Sequence, residues 1–300
     1  MDQKLISVKN FSPEELRKWQ LKLLEILVYF RDFCEAHHLR FFLSAGTCLG
    51  AVRHHGFIPW DDDLDVQMPR PDYEKLISIW NKEADTSKFV CSVTTKEQSA
   101  RFPMAVIRSV NTTCIYDHSV NDDICHGLKI DVEFLDGVPE GKIRDFWNKQ
   151  CARLLLFFKT QRLPNRESFT RLLMSKLLLT LLPKSVMWYL SVFFEKQIKS
   201  VPFDGDCKRV RYFSCKGAPR SCFDDVVWMD FEGEKMPIPG GYDLFLRNAY
   251  GDYMQLPPEK SRVPVTDNLV FYDLDHSYKD YKGIYYCVKN ELYRNSKLQY

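Results

Sequence analysis

The sequence predicts an α+β fold. Strand-like and helix-like segments alternate through the first 140 residues, helices alone follow to about residue 200, and short Gly- and Pro-turned elements close the chain. Three hundred residues suffice for one large domain or two ordinary ones. A hydrophobic share of 45% and a charged share of 27% exclude a disordered chain. The net charge of +2 gives no support to a nucleic-acid footprint.

Each element has a local reason. Ser12, Pro13 and Glu15 make a capped start with Pro in the first turn. Leu16, Trp19, Leu23, Ile26, Leu27 and Phe30 then recur at helical spacing, so a helix runs to about His37. Arg40–Leu43 is a short strand, followed from Gly46 by a short helix to about His54 and a loop from Gly56 to Trp60. Leu64–Met68 reads as a strand. Pro71 opens a helix with Tyr73, Leu76, Ile77 and Trp80 on its apolar side. Phe89–Thr94, Met104–Val110 and Leu128–Phe134 alternate as strands of a mixed sheet. The helices from Glu140 to about Ser200 break near Pro164 and Pro183, and Asp243–Tyr250 is helical. The expected organisation is a catalytic core over residues 1–140, a mainly helical portion over 141–235, and a C-terminal segment over 236–300 that packs back on the core.

Leu172–Phe194 is very apolar, but Lys176, Pro183 and Lys184 interrupt it short of the roughly 20 residues a span needs. Two buried or interfacial helices fit better, leaving room for peripheral contact with a membrane. The ten cysteines form no CxxC pair, and Cys207, Cys215 and Cys222 lack the spacing of a zinc site. The opening residues carry mixed charge and no apolar core, so the expected location is cytoplasmic, with the inner face of the cell membrane within reach.

Trp60-Asp61-Asp62-Asp63-Leu64-Asp65-Val66 is the most informative stretch. On a strand, Asp63 and Asp65 project from one face about 7 Å apart, while Leu64 and Val66 turn to the core. Carboxylates so placed repel unless a hard cation sits between them. Asp131 and Glu133 alternate in the same way with Ile130, Val132 and Phe134, so Asp131 completes the set if the two strands are neighbours. A calcium loop counted from Asp61 fails, with Val66 where Gly is required and Asp72 where Glu is. A solvated turn does not explain either alternation. Ser44-Ala45-Gly46-Thr47 joins a strand to a helix, which leaves free N–H groups for phosphate.

A Gly-Thr turn before an Asp-x-Asp strand has the layout of the polymerase-β-like nucleotidyltransferase superfamily. The resemblance narrows over Gly46-Thr47, Leu49 to His54, Gly56 to Asp65, Pro69-Arg70 and Asp72-Tyr73. It continues through Ile130-Asp131-Val132 and Leu135 to Pro139, then Pro237, Pro239, Tyr242-Asp243, Leu246, Tyr250 to Met254 and Leu256 to Pro258. These resemble the signature of the LicD family, bacterial phosphocholine transferases related to fukutin. Glu133 stands where the family more often has an aromatic, and Cys207–Asp225 matches poorly.

The resemblance implies a nucleotidyltransferase-like mixed sheet with flanking helices and an added helical portion. It also implies transfer of phosphocholine or another phosphoalcohol from a CDP-alcohol such as CDP-choline to a hydroxyl of a glycan or lipid-linked glycan, releasing CMP. Asp63, Asp65 and Asp131 are then the catalytic and metal-ligating residues, for Mg²⁺ or alternatively Mn²⁺. Gly46, Thr47 and Arg53 are candidates for holding phosphate, and Trp60 for stacking on a base or a choline ammonium. Asp131 or Asp61 is available to take the acceptor proton, with Asp131 preferred. His54 reads equally as structural or phosphate-facing, His55 as exposed, and the Tyr250–Tyr253 motif as packing. Two alternatives stay open: a nucleotidyltransferase acting on a sugar or small acceptor, and a non-catalytic glycan-assembly protein.

Overall fold

The computed structural model describes residues 11–96, 104–161, 163, 169–264 and 268–288. The expected break at Pro164 and the end of the Tyr-rich tail lie outside them. Helix α1 (Pro13–Ala36) starts as its sequence requires: Ser12 and Glu15 form a reciprocal capping box. Its apolar stripe carries Trp19, Leu23, Ile26, Leu27 and Phe30, all nearly inaccessible. Next come β1 (Phe42–Leu43), α2 (Ala45–His54), β2 (Asp65–Pro69), α3 (Arg70–Glu83), β3 (Phe89–Ser92), β4 (Ala105–Ser109), β5 (Thr113–Tyr116) and β6 (Lys129–Gly137).

The main sheet runs β1-β2-β6-β4-β3, with β7 (Arg209–Arg211) paired to β6 and β8 (Ala218–Pro219) to β7. Only β2 and β6 are parallel to each other; every other pairing is antiparallel. This is a mixed sheet, and the α+β expectation holds. Ile130, Val132 and Phe134 turn to the core beside α1 and α3, where Phe30, Phe33 and Trp80 pack ring against ring. Asp131 and Glu133 therefore take the opposite face.

Helices α4 (Lys142–Thr160), α5 (Phe169–Leu181) and α6 (Lys184–Ile198) follow β6, and α4 packs on α6 with Phe158 stacked on Phe194. The axis turns by 120° between α5 and α6. No single helix among the described residues is long and apolar enough to cross a membrane, although the bent pair passes on length and composition together. The chain ends with a hairpin of β9 (Val226–Phe231) and β10 (Glu234–Pro239), then α7 (Tyr242–Tyr250) and β11 (Leu269–Asp273). β11 pairs back with β5.

Candidate active site

The parallel register of β2 and β6 sets Asp65 beside Asp131 and Gln67 beside Glu133. The strand begins at Asp65 rather than Leu64, so Asp61, Asp62 and Asp63 lie in the extended loop before it. The Asp131 N–H donates to the Leu64 carbonyl at 2.9 Å, which carries the ladder back to that loop. Directly opposed carboxylates repel, and this site compounds the repulsion with burial. Burial first, then Asp63 and Asp62, push Asp61 up to about 7. Asp63 is raised by burial and Asp131, although its side chain reaches the surface. Asp65 is held well above the usual carboxylate range by burial, Asp131 and Asp63.

A cation meets this group at Asp131. Lys129 Nζ lies 2.5 Å from both carboxylate oxygens of Asp131. As the side chains stand, no three His, Cys, Asp or Glu among the described residues are close enough to hold an ion together. The donor set, several partly buried carboxylates raised by one another, is of the type that a hard cation takes.

The turn above the acids is strained and close-packed. Ala45 adopts φ 43°, a left-handed conformation uncommon outside Gly. Ser44 does not cap α2; its hydroxyl donates instead to Glu133 Oε2 at 3.1 Å and accepts from Gln67. The first N–H groups of α2 are therefore left for the acidic side. A Cβ on Gly46 would meet Asp61 Oδ2 at 2.8 Å, so only Gly lets the carboxylate approach the helix end. Thr47 is buried, and its Oγ accepts the Asp65 N–H at 3.0 Å. This contact pins the acidic strand to the turn.

Two cavities share Tyr250, a residue close enough to feel Asp61 and Asp65. The larger, about 700 Å³, is lined by Arg53, Trp60, Tyr250, Tyr253 and Arg262 among others. Arg53 Nη1 donates to the Tyr253 carbonyl at 2.7 Å, and the Arg262 guanidinium lies 5.6 Å from the Trp60 ring centroid. Burial and the neighbouring Arg262 lower the Arg53 pKa. The smaller cavity, about 280 Å³, lies over Gln67 and Glu133 and is walled by Tyr212, Phe223, Phe245 and Tyr250. Tyr250 lines both, and its hydroxyl is pushed up to about 12 by desolvation, then by Asp61 and Asp65. The Tyr250–Tyr253 motif, expected to pack, does so through the buried Tyr253, while Tyr250, Asp252 and Tyr253 also line the larger cavity.

Sequence reasoning missed the clamps on the acidic loop. Trp19 Nε1 donates to the Asp62 carbonyl at 2.8 Å, and Gln20 Nε2 to that of Asp61 at 2.9 Å. A buried Gln within the apolar stripe of α1 was the available signal. Glu232, at the turn of the β9–β10 hairpin, accepts from the Phe57 N–H at 3.0 Å and pairs with Arg17 at 2.6 Å.

Comparison with known proteins decides the kinship. The family model described as LicD/FKTN/FKRP, nucleotidyltransferase domain, matches residues 38–121. The lipopolysaccharide cholinephosphotransferase LicD of Haemophilus influenzae is 31% identical over 271 residues, covering 83% of this chain and 95% of that protein. The chain belongs to the LicD family. Shorter matches are to uncharacterized proteins of Rickettsia prowazekii, 33% identical over 23% of this chain and 29% of that protein, and Rickettsia typhi, 36% over 22% and 20%. Residues 38–121 contain the turn, α2 and the loop acids of the LicD-type domain, while Asp131 lies just beyond.

Proposed function

We propose that this LicD-family transferase moves a phosphoalcohol, phosphocholine foremost, from a CDP-alcohol to a hydroxyl of a cell-surface glycan or its lipid-linked precursor, releasing CMP. The observation that carries the reading is the acid cluster brought together by the paired β2 and β6, with Tyr250, which feels Asp61 and Asp65, lining both a large cavity with Arg53, Trp60 and Arg262 and a small one over Glu133. The named activity of the Haemophilus relative supports it.

Asp63, Asp65 and Asp131 would hold Mg²⁺, or Mn²⁺, with Lys129 released from Asp131. When bound, such an ion neutralises the diphosphate and the charge developing on CMP. The α2 N-terminus at Gly46 and Thr47 orients phosphate oxygens, and Arg53 draws the anionic donor into the larger cavity. Trp60 offers a face to the base. Asp61 stands outside the metal set, and this placement favours it over Asp131 for taking the acceptor's proton. Positioning and charge supply most of the rate, as in other phosphoryl transfers. We further propose that the enzyme works at the inner face of the cell membrane, with α5 and α6 against the lipid that carries the acceptor.

The test is incubation of the full chain with CDP-choline, Mg²⁺ and a lipopolysaccharide acceptor, with CMP followed by chromatography. Release of CMP matched by phosphocholine on the acceptor is expected. Consumption of a nucleoside triphosphate with pyrophosphate release, and no CMP from any CDP-alcohol, would replace the reading with nucleotidyl transfer.

A further inference from the structure

The smaller cavity has a chemistry unlike that of its neighbour. Its walls are aromatic, with Phe223 and Phe245 in an edge contact at 5.7 Å and Tyr212 and Tyr250 beside them. At its base lies the Glu133 carboxylate, held by Ser44 at 3.1 Å and Gln67 at 3.2 Å. The buried Tyr212 hydroxyl has no hydrogen-bond partner. The cations at its edge are engaged elsewhere: Arg211 by Asp145 and Asn148, and Lys216 by the Asn248 carbonyl. An apolar, π-lined chamber with a carboxylate at its base suits a cation with an apolar body rather than a phosphate or a sugar.

The position fits as well. Glu133 is two residues along β6 from Asp131, one pleat repeat of about 6.6 Å. A short carbon linker can span that gap between a phosphate held at Asp131 and an ammonium at Glu133. We infer that this cavity receives the cationic headgroup of the transferred alcohol, an ammonium or quaternary ammonium on a short linker, and so selects cationic over neutral alcohols. The inference rests on the CDP-alcohol reading above.

The experiment compares wild type with Glu133→Gln, which keeps the shape and the contacts to Ser44 and Gln67, after melting curves show equal folding. KM is measured for CDP-choline and for neutral CDP-glycerol, and choline chloride binding is measured separately by calorimetry. The expected result is a rise of about tenfold in KM for CDP-choline alone, with choline binding weakened to match. An equal change for both donors, or none, overturns the cavity assignment and leaves the transfer reading intact. Choline binding that depends on Glu133, with no CDP-alcohol consumed, keeps the assignment and overturns the transfer reading. Neither turnover nor choline binding overturns both.

Discussion

Asp65 shows how a residue proposed for the site opposes the fold that holds it. Its carboxylate is partly buried and directly beside that of Asp131, and both circumstances raise its pKa. Asp65→Asn removes the repulsion and keeps the shape. Without divalent metal, the variant is expected to gain roughly 1 kcal/mol and melt 1–4 °C above wild type. Its turnover should fall by a factor on the order of 10²–10³, and Mg²⁺ with CDP-choline should raise the melting temperature of wild type only. A variant that melts lower and stays fully active would remove Asp65 from the site. Away from the site, His126 is expected to contribute to acid sensitivity. It is buried, its Nε2 lies 2.9 Å from the Asp122 carbonyl, and burial pushes its pKa down to about 4. Between pH 4 and 6.5 the unfolded chain binds the extra proton, so stability is present above the unfolded value and is lost as pH falls through that window. The loss amounts to about 3 kcal/mol at most. Urea melts of His126→Gln at pH 4.5 and pH 7 should differ less than those of wild type, and an unchanged difference would clear His126 of the role.

At the scale of elements, two distant motif pieces turn out to be one structure. Arg70 opens α3 and Asp136 closes β6; they form a buried bidentate pair, with Nε–Oδ1 at 2.8 Å and Nη2–Oδ2 at 2.5 Å. The Phe134 ring lies 3.4 Å from the guanidinium carbon. Because β2 leads directly into α3, this pair sets the parallel register that brings Asp65 to Asp131. Arg70→Met strands Asp136 in the core and should cost about 3–5 kcal/mol, while the double change with Asp136→Leu should recover most of it, because Glu195, the other partner of Arg70 at 3.3 Å, keeps Lys159 and Lys199 nearby. Denaturant titration of the three variants checks this, and equal losses in single and double variants would contradict it.

The same pair shows what the sequence carries. The helix of residues 13–36 and the alternation around Asp131 were legible because capping and periodicity are local. The pairing of β5 with β11 was not, since Thr113 meets Asp273 across 160 residues and neither short strand signals its partner. The neighbouring of Asp65 and Asp131 had to be assumed for the same reason. Lys129 is a different case. It lies two residues from Asp131 on the same face of β6, so its ammonium was predictable from the alternation that revealed the acids.

For the whole molecule, the distribution of charge and apolar surface joins the site to its surroundings. Residues 142–199 hold twelve Lys and Arg against three Asp and Glu, a net +9 in a chain whose total is +2. The rest of the molecule is therefore acidic. The same stretch exposes Leu173, Leu177, Leu181, Tyr189 and Phe193, and no α5 side chain whose burial is described is buried. Apolar helices with a basic surround have the composition of an interfacial element. Each basic residue near an anionic leaflet contributes about 1 kcal/mol, reduced by salt. The protein is expected to sediment with vesicles rich in phosphatidylglycerol, much less with pure phosphatidylcholine, and to release as salt rises. Leu173→Asp with Leu177→Asp should abolish sedimentation and change the melting temperature little, because the two residues are 57% and 48% exposed. Equal recovery with neutral vesicles, or a concentration-dependent dimer that forms without lipid and is lost in the same variant, would assign this face to another copy of the chain. Docking through α5 and α6 would hold a lipid-linked acceptor at a fixed height beside the site. Detergent-solubilised acceptor should then be used with a higher KM than acceptor in anionic vesicles, and the double variant should erase that difference.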